Sequence, residues 1–257
     1  MKLLIAIPSK NRVEILMNNT LLWVPSCDID WKVFVEPQDF EKYKTILAEE
    51  KLVNIGQNDQ GLGFAKQFIK DFAKVGGYTH IFKVDDDIKG FTKYRKKLDP
   101  PRTAQWVKEF TKDIEKSLEL HPQVKCVSFP YSFEMYEKKH WEVAKRVQTA
   151  FIIETDWLYV NPKVSVFEDF ATGLSVLVNG GLVAKFCMAG INMGVKVGGG
   201  TGGHQSYDRF ERAKLEAEEL RKLYPPLNFR LVNKPWKIEP DMTSIDLPKK
   251  NPSPMEL

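Results

Sequence analysis

Apolar residues enter this chain in short runs, each cut off by polar or turn-forming residues. Leu3 to Ile7 is unbroken and ends at Pro8-Ser9-Lys10-Asn11-Arg12, the pattern of a buried strand that stops at a loop rich in hydrogen-bonding groups. Trp31 to Glu36 predicts a second strand, Phe40 to Glu50 a helix, and Leu52 to Ile55 a third strand. Within Gly63 to Lys74, the apolar residues Phe64, Phe68, Ile69 and Phe72 fall on one face of a helix. Tyr78 to Val84 predicts a fourth strand that runs straight into Asp85-Asp86-Asp87, and Ala104 to Leu120 an amphipathic helix. Strands alternating with helices predict an α/β half with a parallel sheet.

The pattern then changes. Val124 to Phe129 and Thr149 to Val160 read as strands, while the stretch between them mixes aromatic with charged residues and is expected to be a substrate-facing insertion. Glu168-Asp169 opens a helical pattern that continues to Val178 and is capped by Asn179-Gly180-Gly181, which puts two acids at a helix N-terminus. Leu182 to Val197 is expected to be extended. A glycine-rich loop, Gly198 to Gly203, then delivers His204, and Ser206 to Leu223 predicts a long charged helix ended by Pro225-Pro226. The Pro- and Lys-rich tail from Pro248 onward has the composition of a disordered segment.

Composition narrows the function classes. The 257 residues are 43% apolar and 28% charged, which excludes wholesale disorder and suits one to two globular domains. Lys and Arg number 38 against 34 Asp and Glu, and a net +4 is too weak on its own to mark a nucleic-acid binder while permitting an anionic ligand. Cys27, Cys126 and Cys187 are far apart with no CxxC pair, so neither a zinc ribbon nor a disulfide framework is available, and a reducing compartment is expected. The first apolar run ends after five residues at Pro8, so no export signal is expected. Gly173 to Val197 is broken by Asn179, Lys185, Asn192 and several glycines, so no membrane span is expected either. These points predict a soluble, cytoplasmic protein.

The sharpest chemical signal is the aspartate triplet. In an extended segment residues i and i+2 point the same way, so Asp85 and Asp87 are expected to share one side at the end of a strand, a donor set for Mg²⁺ or Mn²⁺ completed by a phosphorylated substrate. The bland alternative is a solvated acidic turn. Glu168-Asp169 alone is no more than an acidic helix start. His204, after six loop residues of which five are glycine, is a candidate further metal or phosphate ligand, with a flexible linker as the alternative. No GxxxxGK[ST] occurs, and Gly61-Leu62-Gly63-Phe64-Ala65-Lys66 has lysine where a dinucleotide fingerprint needs its third glycine, which disfavours P-loop NTPases and NAD enzymes.

Taken in order, these segments resemble the GT-A glycosyltransferases, metal-dependent enzymes that use nucleotide sugars, over roughly residues 3 to 206. Ile5 to Arg12 resembles their opening strand and nucleotide-contacting loop, Gly61 to Lys66 the segment before the helix under the donor, and Asp85-Asp86-Asp87 the DxD motif. Glu168-Asp169 resembles the later acidic pair, whose second member often serves as catalytic base, and His204 the C-terminal histidine ligand. Lys66-Gln67 stands where that family often has Arg-Asn. The Pro-Ser-Lys-Asn-Arg opening, the Val-Asp-Asp-Asp-Ile centre and the Gly-Gly-His ending are most similar to the TET-associated glycosyltransferases, a group encoded largely by bacteriophages and thought to attach sugars to hydroxymethylated pyrimidines in DNA.

That resemblance implies a GT-A fold: a Rossmann-like mixed sheet flanked by helices, in a single domain with a C-terminal extension. The catalytic domain would span residues 1–206, with a nucleotide-sugar half to about 120 and an acceptor half beyond it, followed by a helix and strand extension over 207–247 and a disordered tail over 248–257. It implies a UDP-sugar donor bound by Pro8, Ser9, Arg12, Glu36, Gly61, Lys66, Asp85 and Asp86, and Mn²⁺ or Mg²⁺ held by Asp85, Asp87 and His204. Glu168 and Asp169 are the implied catalytic pair, with Asp169 taking the acceptor proton in a single displacement with inversion. The implied location is the cytoplasm of a phage host. The acceptor side rests on cations mixed with aromatics: Lys93 to Lys97, and the run holding Tyr131, Phe133, Tyr136, Lys138, Lys139, His140, Trp141, Lys145 and Arg146, a composition suited to backbone phosphates and unstacked bases. Solvated faces and core aromatics are the alternative there. Two other functions stay open at this point: a GT-A enzyme acting on a glycan, lipid or protein, and a non-catalytic nucleotide-sugar or nucleic-acid binding module.

Overall fold

A computed structural model of the chain describes residues 1–94, 96–135, 140–159, 161, 163–194, 209–231 and 238–241. In chain order the first half holds β1 (Leu3–Pro8), α1 (Val13–Asn18), β2 (Asp30–Val35), α2 (Pro37–Lys44), β3 (Leu52–Asn54), α3 (Gly61–Val75), β4 (His80–Lys83), β5 (Ile88–Lys93), β6 (Lys96–Lys97) and α4 (Pro100–Leu120). The second half holds β7 (Val124–Ser128), β8 (Trp141–Ala144), β9 (Phe151–Glu154), α5 (Glu168–Val178), β10 (Leu182–Phe186), β11 (Ala189–Met193), α6 (Arg209–Leu223), β12 (Asn228–Leu231) and β13 (Ile238–Asp241).

Eight strands form one mixed sheet in the order β3-β2-β1-β4-β9-β7-β10-β8. The first four are parallel, as the alternation of strands and helices predicted. β9 then runs antiparallel to both β4 and β7, and β8 closes the far edge antiparallel to β10. Because β1 lies between β2 and β4, the chain leaves neighbouring parallel strands towards opposite sides, and a crevice opens beyond their C-terminal ends, where sheets of this kind take their ligands. Pro8 and the aspartates both fall at that edge.

Alternation along the central strands divides the core. Ile5, Ile7, Phe82 and Val84 face one layer, where Phe82, Phe91, Phe110 and Phe129 pack in tilted and edge-on pairs under α4. Leu4, Ala6, Ile81 and Ile153 face the other layer, against Ala65, Ile69 and Ala73 of α3. A third cluster joins Phe167, Ala171 and Leu174 to Ala213, Ala217 and Leu220, so α6 packs on α5.

Several boundaries differ from the expectation. The helix expected over Phe40 to Glu50 starts at Pro37, whose fixed φ suits a first helical position, and ends at Lys44. The fourth strand stops at Lys83, and the strand expected over Thr149 to Val160 spans only Phe151–Glu154 before a turn of 3₁₀-helix. The expected insertion contributes β8 to the sheet edge. Leu182 to Val197 is not one extended piece: a turn at Cys187-Met188 splits it into β10 in the main sheet and β11, which pairs with β5 in a small second sheet. The glycine-rich loop, the first residues of the helix expected from Ser206, and the tail lie outside the described residues.

Candidate active site

The aspartate triplet does not prolong its strand. β4 ends at Lys83, and Asp86-Asp87 form a tight turn into β5, so Asp85 and Asp87 do not share the face of an extended segment. Each carboxylate is partnered. Asp86, 3% exposed, accepts from Ser9 Oγ at 2.7 Å and Arg12 Nη1 at 2.8 Å. The same guanidinium reaches Asp87 Oδ2 at 3.0 Å, so one planar fork sets the spacing of two acids. Asp85 pairs with the Lys83 ammonium. Thr20 clamps the turn from below, donating to the Asp85 carbonyl at 2.7 Å and accepting from the Ile88 amide at 3.1 Å. Tyr43 hydrogen-bonds Ser9 Oγ at 2.6 Å and accepts from the Arg12 amide at 3.1 Å, tying the β1 loop to α2.

Burial pushes the Asp86 carboxyl up to about 7, against the pull of Arg12 and Ser9. Burial also raises Asp85, with the nearby Asp87 charge adding to the rise and Lys83 opposing it. Burial alone would lower Lys83, yet Asp85, Asp169 and Asp87 together hold it above its ordinary value, so this ammonium is the shared counter-charge of both acidic motifs. Lys83 is 2% exposed and lies 3.8 Å from Glu168.

The second acidic motif opens α5. Glu168 is committed to a buried ion pair with Lys66, which also donates to Thr172 Oγ1 at 3.1 Å. Lys66, expected to touch the donor, is 2% exposed on the inner face of α3, where burial and the Lys83 charge pull its pKa down to about 7. Asp169 differs from its neighbour: its Oδ1 is buried with no hydrogen-bond partner among the described residues, as is Oδ1 of Asp87. A buried carboxylate oxygen without a donor is costly and calls for a cation, a water or a substrate proton.

The α5 N-terminus is held from α6. Glu216, 1% exposed, accepts from Ser165 Oγ at 2.9 Å, the Val166 amide at 2.6 Å and the Phe167 amide at 3.1 Å. From the other side, a Cβ on Gly173 would lie 2.8 Å from the Lys145 carbonyl and 2.9 Å from Arg146 Cα, so α5 rests directly on that backbone.

Other expected residues are distributed as follows. Pro8 ends β1, and Glu36 already takes hydrogen bonds from Lys10 at 2.9 Å and Gln38 at 2.6 Å. Gly61 opens α3 with a positive φ of 81°, which glycine adopts without strain. Trp141, expected at an acceptor surface, is a core residue: it is 5% exposed and packs edge-on against Phe186. Lys145 and Arg146 line a cleft of about 550 Å³ with Gln148, Phe170 and Arg230. Lys138, Lys139 and His204 lie outside the described residues. The chain does enter the segment carrying His204 beside the triplet, since the Gly194 amide donates to the Asp87 carbonyl at 2.7 Å. Lys83, Thr20, Tyr43 and Glu216 were not singled out from sequence; the only signal was for Lys83, a charged residue in an otherwise apolar strand.

Asp85 and Asp87 supply hard oxygen donors that suit a divalent cation, and the unpartnered Asp87 Oδ1 is free to serve as one. No group of three His, Cys, Asp or Glu side chains close enough to hold a metal occurs among the described residues, so such a site needs a further donor from elsewhere.

The sequence model of the TET-associated glycosyltransferases matches residues 3–197. The chain belongs to that family. Its fold is that of the GT-A glycosyltransferases. Glucosyl-3-phosphoglycerate synthase from Mycobacterium tuberculosis, solved with Mn²⁺, UDP-glucose and glycerol 3-phosphate, superposes with a TM-score of 0.53 at 11% identity, covering 90% of this chain and 85% of that one. S. aureus TarS 1–349 with UDP-GlcNAc gives 0.52 at 16% identity, covering 86% and 67%. In two further TarS structures the chain spans 66% of residues 1–349 and 40% of a longer TarS chain. A comparison with curated proteins gives no match. Among the described residues of this family member, no helix is long and apolar enough to cross a membrane.

Proposed function

We propose that this family member transfers a sugar from a UDP-sugar to the hydroxymethyl group of a modified pyrimidine in DNA, with inversion at the anomeric carbon. The observation that carries the reading is the pair of buried, unpartnered carboxylate oxygens on Asp87 and Asp169, joined through Lys83 and lying at the crevice edge of a glycosyltransferase fold. Asp87 and Asp85, with His204 from the segment that begins at Gly194, would hold Mn²⁺ or Mg²⁺. When bound, that cation neutralises the diphosphate as it leaves. Arg12 holds Asp86 and Asp87 in place before any ligand arrives, so the acidic turn need not reorganise in the transition state. Asp169 accepts the proton from the acceptor hydroxyl while that oxygen forms its bond to the anomeric carbon, and the carbon–oxygen bond to the diphosphate breaks with its electron pair departing on UDP. Glu168, neutralised by Lys66, positions the helix that carries the base. The M. tuberculosis and S. aureus neighbours were solved with UDP-sugars, and the former with Mn²⁺, which supports this donor and this metal.

The test is a panel of UDP-sugars with Mn²⁺, with and without hydroxymethylated DNA. Transfer to DNA that EDTA abolishes and that Asp87→Ala reduces far more than Lys89→Ala is expected. Turnover on a glycan or protein with none on DNA would replace the acceptor, and full turnover in EDTA would remove the metal.

A further inference from the structure

Beyond the last residue of β7 the chain makes an exposed aromatic step. Tyr131 and Phe133 stack face to face, with ring planes 7° apart and centroids at 5.4 Å. Phe133 is 79% exposed, unusual for a phenylalanine beside a charged site. The step is rigidly built. Glu134 caps its own turn, donating its amide to the Tyr131 carbonyl at 2.8 Å and accepting from the Tyr131 amide. Met135 behind it is buried, and Tyr131 bridges to Ile191 while the Ile191 amide donates to the Pro130 carbonyl at 2.7 Å.

The inner end of the stack lies within electrostatic reach of the two acidic motifs. Tyr131 is half-buried and feels the charges of Asp169, Asp85 and Lys83. The outer ring, Phe133, is open to solvent. A cation stands beside it: Arg146 lies 4.0 Å from Glu134 and 5.6 Å over the ring of Phe170, the residue after Asp169. Two parallel rings that start at the acids and end exposed, flanked by a half-exposed guanidinium, match a flat aromatic ligand carrying a negative charge. A nucleotide has both. A hexose ring offers neither the flat π face nor the charge, and a base inside a duplex has its faces already covered.

We infer that the Tyr131–Phe133 stack is the acceptor platform, on which a pyrimidine base removed from its duplex neighbours lies against Phe133 with its phosphate towards Arg146. This rests on the nucleic-acid reading above and sharpens it, because it requires a single-stranded or extruded acceptor base, although a substituent at the pyrimidine 5-position is already reachable in the major groove.

The test measures binding of a short single-stranded oligonucleotide containing hydroxymethylcytosine, and of its duplex, to wild type, Phe133→Ala and Phe133→Trp, with UDP and Mn²⁺ binding as the control for an intact donor side. Phe133→Ala should weaken single-strand binding about 10-fold, Phe133→Trp should restore it, and UDP binding should be unchanged in both. If wild type binds and modifies the oligonucleotide and Phe133→Ala does so equally well, the platform is overturned while the transferase reading stands. If wild type binds UDP but neither DNA, the nucleic-acid acceptor fails and the platform with it. If Phe133→Ala instead impairs only transfer to a sugar acceptor, the stack takes a hexose and the inference is wrong.

Discussion

The two sides of the crevice are built differently. On the triplet side every carboxylate has a fixed partner: Ser9 and Arg12, far away in sequence, on Asp86, Arg12 again on Asp87, and the near neighbour Lys83 on Asp85, with Tyr43 holding Ser9 and Arg12 and Thr20 holding the turn itself. On the facing side, beyond β7 and β8, the polar groups are more exposed, Phe133 stands in solvent, and Arg146 is shared loosely between Glu134 and Phe170. This is the division the proposed reaction calls for, rigidity where charge is to be stabilised at a fixed point and openness where a large acceptor is to enter.

Lys83→Met should break this contrast most severely. It leaves Asp85 without its ion-pair partner and removes a positive charge that Asp169 and, beside its Lys66 pair, Glu168 also feel, and because Asp85 keeps some contact with water the loss is set near the low end for broken buried pairs, about 3 kcal/mol. Urea unfolding should show it, and Lys83→Arg should recover part of it; a Lys83→Met protein as stable as wild type would mean the two acidic motifs are not coupled through this ammonium. Glu216→Ala asks whether the α5 side is as firmly held as the triplet. Two backbone amides and the Ser165 hydroxyl lose their acceptor, so a loss of about 2 kcal/mol is expected, together with lower turnover, since Asp169 follows directly from Phe167-Glu168. Unchanged melting and activity would show that α6 is dispensable to the site. The smallest effect on the fold belongs to Lys145→Gln combined with Arg146→Gln: stability should shift by no more than about 0.5 kcal/mol, while KM for DNA rises and its salt dependence flattens. A constant KM and salt slope would take DNA away from this surface.

The parts of this molecule that could be read from sequence are those where one strand declares itself by burial. Leu3 to Ile7 is apolar because both faces of β1 are covered, and the triplet stands out because three acids follow such a strand. β5 was missed because Lys89, Gly90 and Thr92 interrupt its apolar alternation, and its partner β11 lies about a hundred residues away. The turn at Cys187-Met188 carries neither glycine nor proline, so nothing local marks the place where the chain changes sheets. Lys66 and Glu168 were each noted, but that they neutralise one another depends on α3 and α5 meeting, which no spacing reveals. Trp141 resembled a surface aromatic because charged residues surround it in sequence, whereas in space it faces Phe186.

The central claim is that Asp169 performs chemistry while the triplet side binds the donor. Asp169→Asn keeps the side chain's size and removes its basicity, so the decisive measurement is single-turnover transfer by this variant beside its affinity for UDP in Mn²⁺. The account predicts a transfer rate lower by about 100-fold or more with UDP affinity unchanged. Wild-type transfer by Asp169→Asn, or loss of UDP binding equal to the loss of rate, would contradict it.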